Sequence, residues 1–190
     1  MISNLVDSFL RESITRQSNI SLFYLNNFGE NTLKPDKVSG NQLNFETFNH
    51  LTNYFKVYKY NNNNKVIDFD SVGYLKENLT ELVSKWVNFY NETKSDSIIF
   101  IMDQSQYNQE HLELLKQMVH QLLNHKEISP NTKAIFLLNK LENDVLDPSK
   151  LIIKQLELFK LEKHWFIHSG YNTIDSTEEA LFWLSQNLEN

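Results

Sequence analysis

The chain has 190 residues and 22.5 kDa, 41% of them hydrophobic and 13% aromatic, enough to bury one core and too little for two full domains. Eighteen Lys and Arg against 24 Asp and Glu leave a net charge of −6, and no window of five or six residues is densely basic, so a grip on nucleic-acid phosphate has no source. No apolar run approaches the roughly 18 residues of a membrane-spanning helix, Met1 to Ile20 lacks the cationic and then apolar stretches of a secretory leader, and zero cysteines remove disulfides, thiolate metal sites and thiol nucleophiles together; a cytoplasmic protein is expected.

The first element is an amphipathic helix over residues 1–17, because Ile2, Leu5, Val6, Phe9, Leu10 and Ile14 recur at helical spacing. Its polar face, Asp7, Arg11, Glu12 and Arg16, is nearly neutral and lacks the lysine-rich character of strong membrane binders. Packing on its own domain or on a protein partner is therefore expected, with peripheral contact to an endomembrane as the alternative. Residues 18–190 form a single domain. Ile20 to Leu25, Ile98 to Met102 and Ala134 to Leu138 are short, nearly continuous apolar runs, the pattern of central parallel strands covered on both faces. Tyr54 to Tyr60 and Lys65 to Asp70, joined by Asn61 to Asn64, predict an antiparallel hairpin, since Asn tolerates left-handed turn conformations. Helical stripes follow at Leu112, Leu115, Met118, Val119 and Leu122, then at Leu151, Ile152, Leu156 and Phe159, and then at Ala180, Leu181 and Leu184. Strands alternating with helices imply right-handed crossovers and a layered α/β domain, with any ligand at the carboxyl ends of the strands.

Few residues offer chemistry. His111, His120 and His125 are spaced nine and five apart, which does not put two imidazoles on one helix face, so solvated or capping roles are expected. His164 and His168 have the i,i+4 interval, but His168 falls in a predicted strand, where that interval has no helical meaning. Ser169 lacks the Gly-x-Ser-x-Gly turn of a hydrolase nucleophile. There are 24 Asn, in segments of every type, and four Gly, little material for a loop that must bring backbone close to a phosphate.

The order of fragments Ser97 to Asp103 (SIIFIMD), Lys133 to Lys140 (KAIFLLNK), Trp165-Phe166-Ile167 and Ala180 to Leu188 (ALFWLSQNL) resembles the second half of ADP-ribosylation-factor (Arf) family small GTPases. The likeness covers nearly the whole chain and is specific mainly from Ser97 onward. It implies a three-layer phosphate-loop GTPase-like α/β fold, with a mostly parallel six-stranded sheet, one antiparallel edge hairpin and about five helices. In that family Asn-Lys-x-Asp reads guanine; here Asn139 and Lys140 hold the first two places and Glu142 the fourth, its extra methylene displacing the carboxylate. The family's phosphate loop is Gly-x-x-x-x-Gly-Lys-Ser/Thr. The matching stretch runs from Tyr24 to Asn31: Tyr24 replaces the first Gly, Gly29 keeps the second, Glu30 replaces Lys, and Asn31 replaces the metal-binding hydroxyl. Thr32 falls one residue beyond that position, and Pro35 removes a backbone donor from the helix expected there.

Of the metal-binding positions the resemblance implies, Thr52 matches the Mg²⁺- and γ-phosphate-sensing threonine and Asp70 the aspartate of Asp-x-x-Gly, with Gly73 its glycine at the end of a third strand. Tyr74 stands where a glutamine orients the attacking water, and a phenol cannot hold water as an amide does. Ile2 occupies the myristoylated glycine's place, so acylation has no acceptor. The expectation is a pseudo-GTPase without catalytic residues or a resident cofactor, serving as a protein-interaction subunit or adaptor in membrane trafficking. Its partner surface would be built on Tyr54, Tyr58, Tyr60 and Tyr74, with Tyr90 as a further anchor. The alternative is an atypical GTPase that binds GTP or GDP with Mg²⁺ through Thr52, Asp70, Asn139 and Lys140 and hydrolyses GTP slowly or with a partner.

Overall fold

The structure is a computed structural model that describes residues 18–25, 55–59, 72–102, 108–138, 148–169 and 174–188. The apolar runs form strands, because a chain buried on both faces must satisfy its backbone groups through neighbouring strands. These are β1 (Ser18–Tyr24), β2 (Phe55–Lys59), β3 (Ser97–Met102), β4 (Lys133–Leu138) and β5 (Trp165–Ser169). They make one sheet in the order β2-β1-β3-β4-β5, and all four pairings are parallel. The α-helices among the described residues are α1 (Val72–Thr93), α2 (Gln109–Leu123), α3 (Ser149–Gln155) and α4 (Ile174–Asn187). The steps β2–β3, β3–β4 and β4–β5 run in the same direction across the sheet, so right-handed crossovers put α1, α2 and α3 on one face. Their apolar residues join Phe23, Leu25, Ile98, Phe100, Met102, Ala134, Phe136 and Leu138, the alternate residues of β1, β3 and β4, in one core. α4 lies over β4 and β5 on the other face, where Trp183 stacks on Phe166 with ring centroids 5.3 Å apart.

Several expectations need correction. Among the described residues the sheet has five strands, all parallel, where six strands with one antiparallel edge hairpin were expected. Phe55–Lys59, inside the first expected hairpin arm, pairs with β1 in parallel, Ser18 opposite Phe55 through Leu22 opposite Lys59. The chain from Tyr24 to Phe55 is long enough for the crossover that parallel pairing requires. The second arm, Lys65 to Asp70, lies outside the described residues, as does the expected N-terminal helix. Gly73 does not end a strand: it is the second residue of α1. Tyr90 is no surface anchor. It is 6% exposed, one of the core-facing residues Leu79, Leu82, Val83, Trp86, Val87 and Tyr90 of α1, and its hydroxyl meets Thr132 Oγ1 at 2.7 Å. The stripe on α3 is cut short, because Glu157 takes a left-handed conformation (φ 51, ψ 40) before a 3₁₀ turn at Leu158–Lys160. That twist turns Leu158 into the core and leaves Phe159 outside.

The capping role expected of the histidines holds for His111, while His120 Nε2 instead meets the Leu156 carbonyl at 2.8 Å across to the end of α3. Asn108 Oδ1 accepts from the His111 backbone N–H at 2.9 Å, and His111 Nδ1 faces the Asn108 N–H at 3.5 Å, so the imidazole completes a capping box over otherwise unsatisfied donors. Asn108→Ala is expected to lower the unfolding free energy by about 1 kcal/mol while Asn108→Asp stays near neutral, as read by urea denaturation.

Three ion pairs, Glu81–Lys85 at 2.6 Å, Glu113–Lys116 at 2.7 Å and Glu157–Lys160 at 2.7 Å, each at least partly exposed, hold their carboxyl pKa values below the ordinary one, chiefly through the hydrogen bond from the lysine. A carboxyl with a depressed folded-state pKa adds stability above its unfolded value and loses it as pH falls through the folded value. Stability is therefore expected to decline on acidification below the usual carboxylate range, with a slope reduced by salt, since all three pairs are screened. Urea unfolding at neutral and acidic pH, with and without added salt, checks this.

Candidate functional site

In a parallel sheet with crossovers leaving in opposite directions from adjacent strands, a crevice opens at the carboxyl ends of those two strands. Here the chain leaves β1 toward β2 and β3 toward β4, so the strand order reverses between β1 and β3. The reversal is well built. Phe23 pairs with Phe100 and Tyr24 with Ile101, and the Leu25 N–H donates to the Ile101 carbonyl at 2.8 Å. Tyr24, at the position of the resembled family's first loop glycine, is thus the last residue of β1, still in register with β3.

The chain leaves this same carboxyl edge after Leu25, Met102, Leu138 and Ser169. Gly29, Glu30, Asn31 and Thr32 follow β1 after Leu25. Asp103 directly follows Met102 of β3, Asn139, Lys140 and Glu142 follow Leu138 of β4, and Gly170 follows Ser169 of β5. Parallel register makes the strands end together, Ile101 beside Leu137 and Leu138 beside Ser169. The described ends Leu25, Met102, Leu138 and Ser169 therefore lie along one edge. Gly29, Glu30, Asn31, Thr32, Thr52, Tyr54, Tyr60, Asp70, Asn139, Lys140 and Glu142 themselves lie outside the described residues. Gly73 and Tyr74 occupy the first turn of α1, where backbone N–H groups have no intrahelical acceptor. Tyr58 sits on β2 opposite Ser21 and is half-buried.

The described polar chemistry nearest this edge was not legible in the sequence. His168, one residue before the end of β5, has Nδ1 3.3 Å from Glu179 Oε2 on α4, and its ring stacks on Phe166. Only the packing of α4 on β5 brings residues eleven apart into contact. A larger polar cluster lies at the opposite end of the sheet: Ser21 Oγ meets Thr93 Oγ1 at 3.0 Å and Ser95 Oγ at 2.8 Å, and Asp96 Oδ2 accepts from the Asn19 N–H at 2.9 Å. Those bonds tie the end of α1 to β1. Among the described residues no three His, Asp or Glu side chains gather as a metal site, and no described helix is long and apolar enough to cross a membrane. Compared with known proteins, the chain matches no family model and no curated sequence.

Proposed function

We propose that the chain is an Arf-like pseudo-GTPase: a small-GTPase-like domain kept as a protein-interaction subunit or adaptor in intracellular membrane trafficking, with nucleotide binding weakened or lost. The observation that carries this reading is the junction at the strand-order reversal. A parallel β1 runs without interruption through Tyr24 into a segment that has Glu30 where the resembled family has its phosphate-binding lysine. A carboxylate in that place repels the phosphates that the crevice would otherwise attract. With Tyr74 in the glutamine's place no hydrolysis is expected, and the domain acts from the cytoplasm without a resident cofactor. Tyr54, Tyr58, Tyr60 and Tyr74 serve a protein partner, tyrosine being enriched among residues that dominate interface energetics. The trafficking role rests on family resemblance alone.

A second reading, an atypical GTPase, is favoured by one observation: Asn139-Lys140 directly follows β4 at the same carboxyl edge, the position from which a base-reading segment acts. Denaturing the purified protein and chromatographing the released small molecules separates the two.

A further inference from the structure

On the α3 side of the domain two large apolar side chains stand in water. Leu151 is 54% exposed and Phe159 63%, while their neighbours Ile152, Leu156 and Leu158 are at most 1% exposed. The arrangement is held at a conformational cost: Glu157, between α3 and the 3₁₀ turn, is a non-glycine residue in left-handed conformation, a region that Cβ disfavours. Its carboxylate accepts from Lys160 Nζ at 2.7 Å. Charge is distributed unusually here too. The whole chain carries −6, yet Pro148 to Lys163 hold Lys150, Lys154, Lys160 and Lys163 against Glu157 and Glu162. Lys150, Lys154 and Lys160 are exposed; Lys154 shares a side of α3 with Leu151, and Lys160 directly follows Phe159. Lys116 of α2 adds to this field, helping to hold the Glu157 carboxyl below its ordinary range after the larger effect of Lys160.

We propose that this α3 shoulder docks on an anionic lipid bilayer, with Leu151 and Phe159 entering the interfacial layer and Lys150, Lys154 and Lys160 against the headgroups. Charge complementarity selects the occupant and its orientation: an acidic domain is repelled by anionic lipid except where its lysines concentrate, and lysines beside protruding apolar side chains reach phosphate while their stems stay apolar. Protruding side chains suit a soft interface, whereas a peptide needs a groove. The surface is independent of the nucleotide reading and of the segment before Ser18.

Because the chain has no cysteine, Phe159→Cys in the full-length protein takes a single environment-sensitive fluorophore. Vesicles of phosphatidylcholine with about 30% phosphatidylserine are expected to shift its emission to the blue, vesicles of phosphatidylcholine alone are not, and molar salt reverses the shift because screening then acts within about 3 Å. The shift persists when Leu5→Gln and Phe9→Gln are added. In unlabelled protein, Leu151→Gln with Phe159→Gln lowers vesicle partition about tenfold with an unchanged circular-dichroism spectrum, as expected of exposed positions. The proposal is overturned by no shift, by equal shifts on both kinds of vesicle, by the same shift from a label at Glu92→Cys, or by loss of the shift in the Leu5/Phe9 variant. It is equally overturned by a response to a soluble glutamate-rich peptide without one to vesicles, which assigns the surface to an acidic protein.

Discussion

Replacing Trp86 by alanine is expected to lower the unfolding free energy by about 3–5 kcal/mol, a large share of the roughly 5–15 kcal/mol that a domain has in total. Trp86 is fully buried and begins a line of rings across three strands. Its centroid is 4.7 Å from that of Phe23 on β1, Phe23 lies 6.0 Å from Phe100 on β3, and Phe100 lies 5.0 Å from Phe136 on β4. Parallel register sets Phe23, Phe100 and Phe136 side by side, so a cavity at Trp86 opens at the end of the stack and removes ring contacts as well as apolar burial. Trp86→Phe, which keeps a ring, is expected to cost less than half as much. Urea unfolding followed by far-ultraviolet circular dichroism measures both, and a loss under about 1 kcal/mol for Trp86→Ala, well below the usual range for a buried aromatic, would show that α1 does not carry the core.

Purified protein is expected to carry no guanine nucleotide and to hydrolyse no GTP above the buffer rate. One unit-charge contact at about 4 Å and an effective dielectric near 20 is worth about 4 kcal/mol, nearly three decades in affinity, and Glu30 reverses its sign relative to lysine. Restoring Glu30→Lys and Asn31→Thr together is expected to recover weak binding at most. The reason lies in β1: Tyr24 is still a sheet residue in register with Ile101, and the next N–H is committed to the Ile101 carbonyl, so the chain has not yet turned at the place of the family's first loop glycine. Stoichiometric GDP or GTP released on denaturation would favour the atypical-GTPase reading. Micromolar affinity from the double substitution alone would show that Tyr24 is no obstruction. Isothermal titration with GDP and Mg²⁺ reads the second outcome directly.

Where a segment's burial is settled by its own composition, the sequence was sufficient. The runs at Ile20, Ile98 and Ala134 contain too little polar surface to be anything but interior strands, and the stripe from Leu112 to Leu122 is buried throughout, as its spacing required. The strand around His168 was legible as well. Tyr24 and Glu30 are residues whose chemistry departs from a phosphate site whatever surrounds them.

Other features depend on partners distant in the chain. The 22-residue α1 carries Leu79, Val83, Trp86, Val87 and Tyr90 at helical spacing, but it starts amid polar residues and tyrosines that give no clear boundary. Only its docking on β1 shows which side of it is buried. Parallel pairing of β2 with β1 was equally illegible: alternation identifies a strand but carries no information about its neighbour's direction, which the crossover sets. The exposure of Phe159 was decided at Glu157, by a single left-handed residue that no periodicity announces. The sequence by itself determined a parallel α/β core and put an acid, Glu30, where the proposed resemblance calls for a lysine, because apolar content and formal charge belong to each residue alone. The tertiary structure decided the strand neighbours, the buried side of α1 and the apolar residues left outside, because these are set by which surfaces meet, a property shared between segments far apart in the chain.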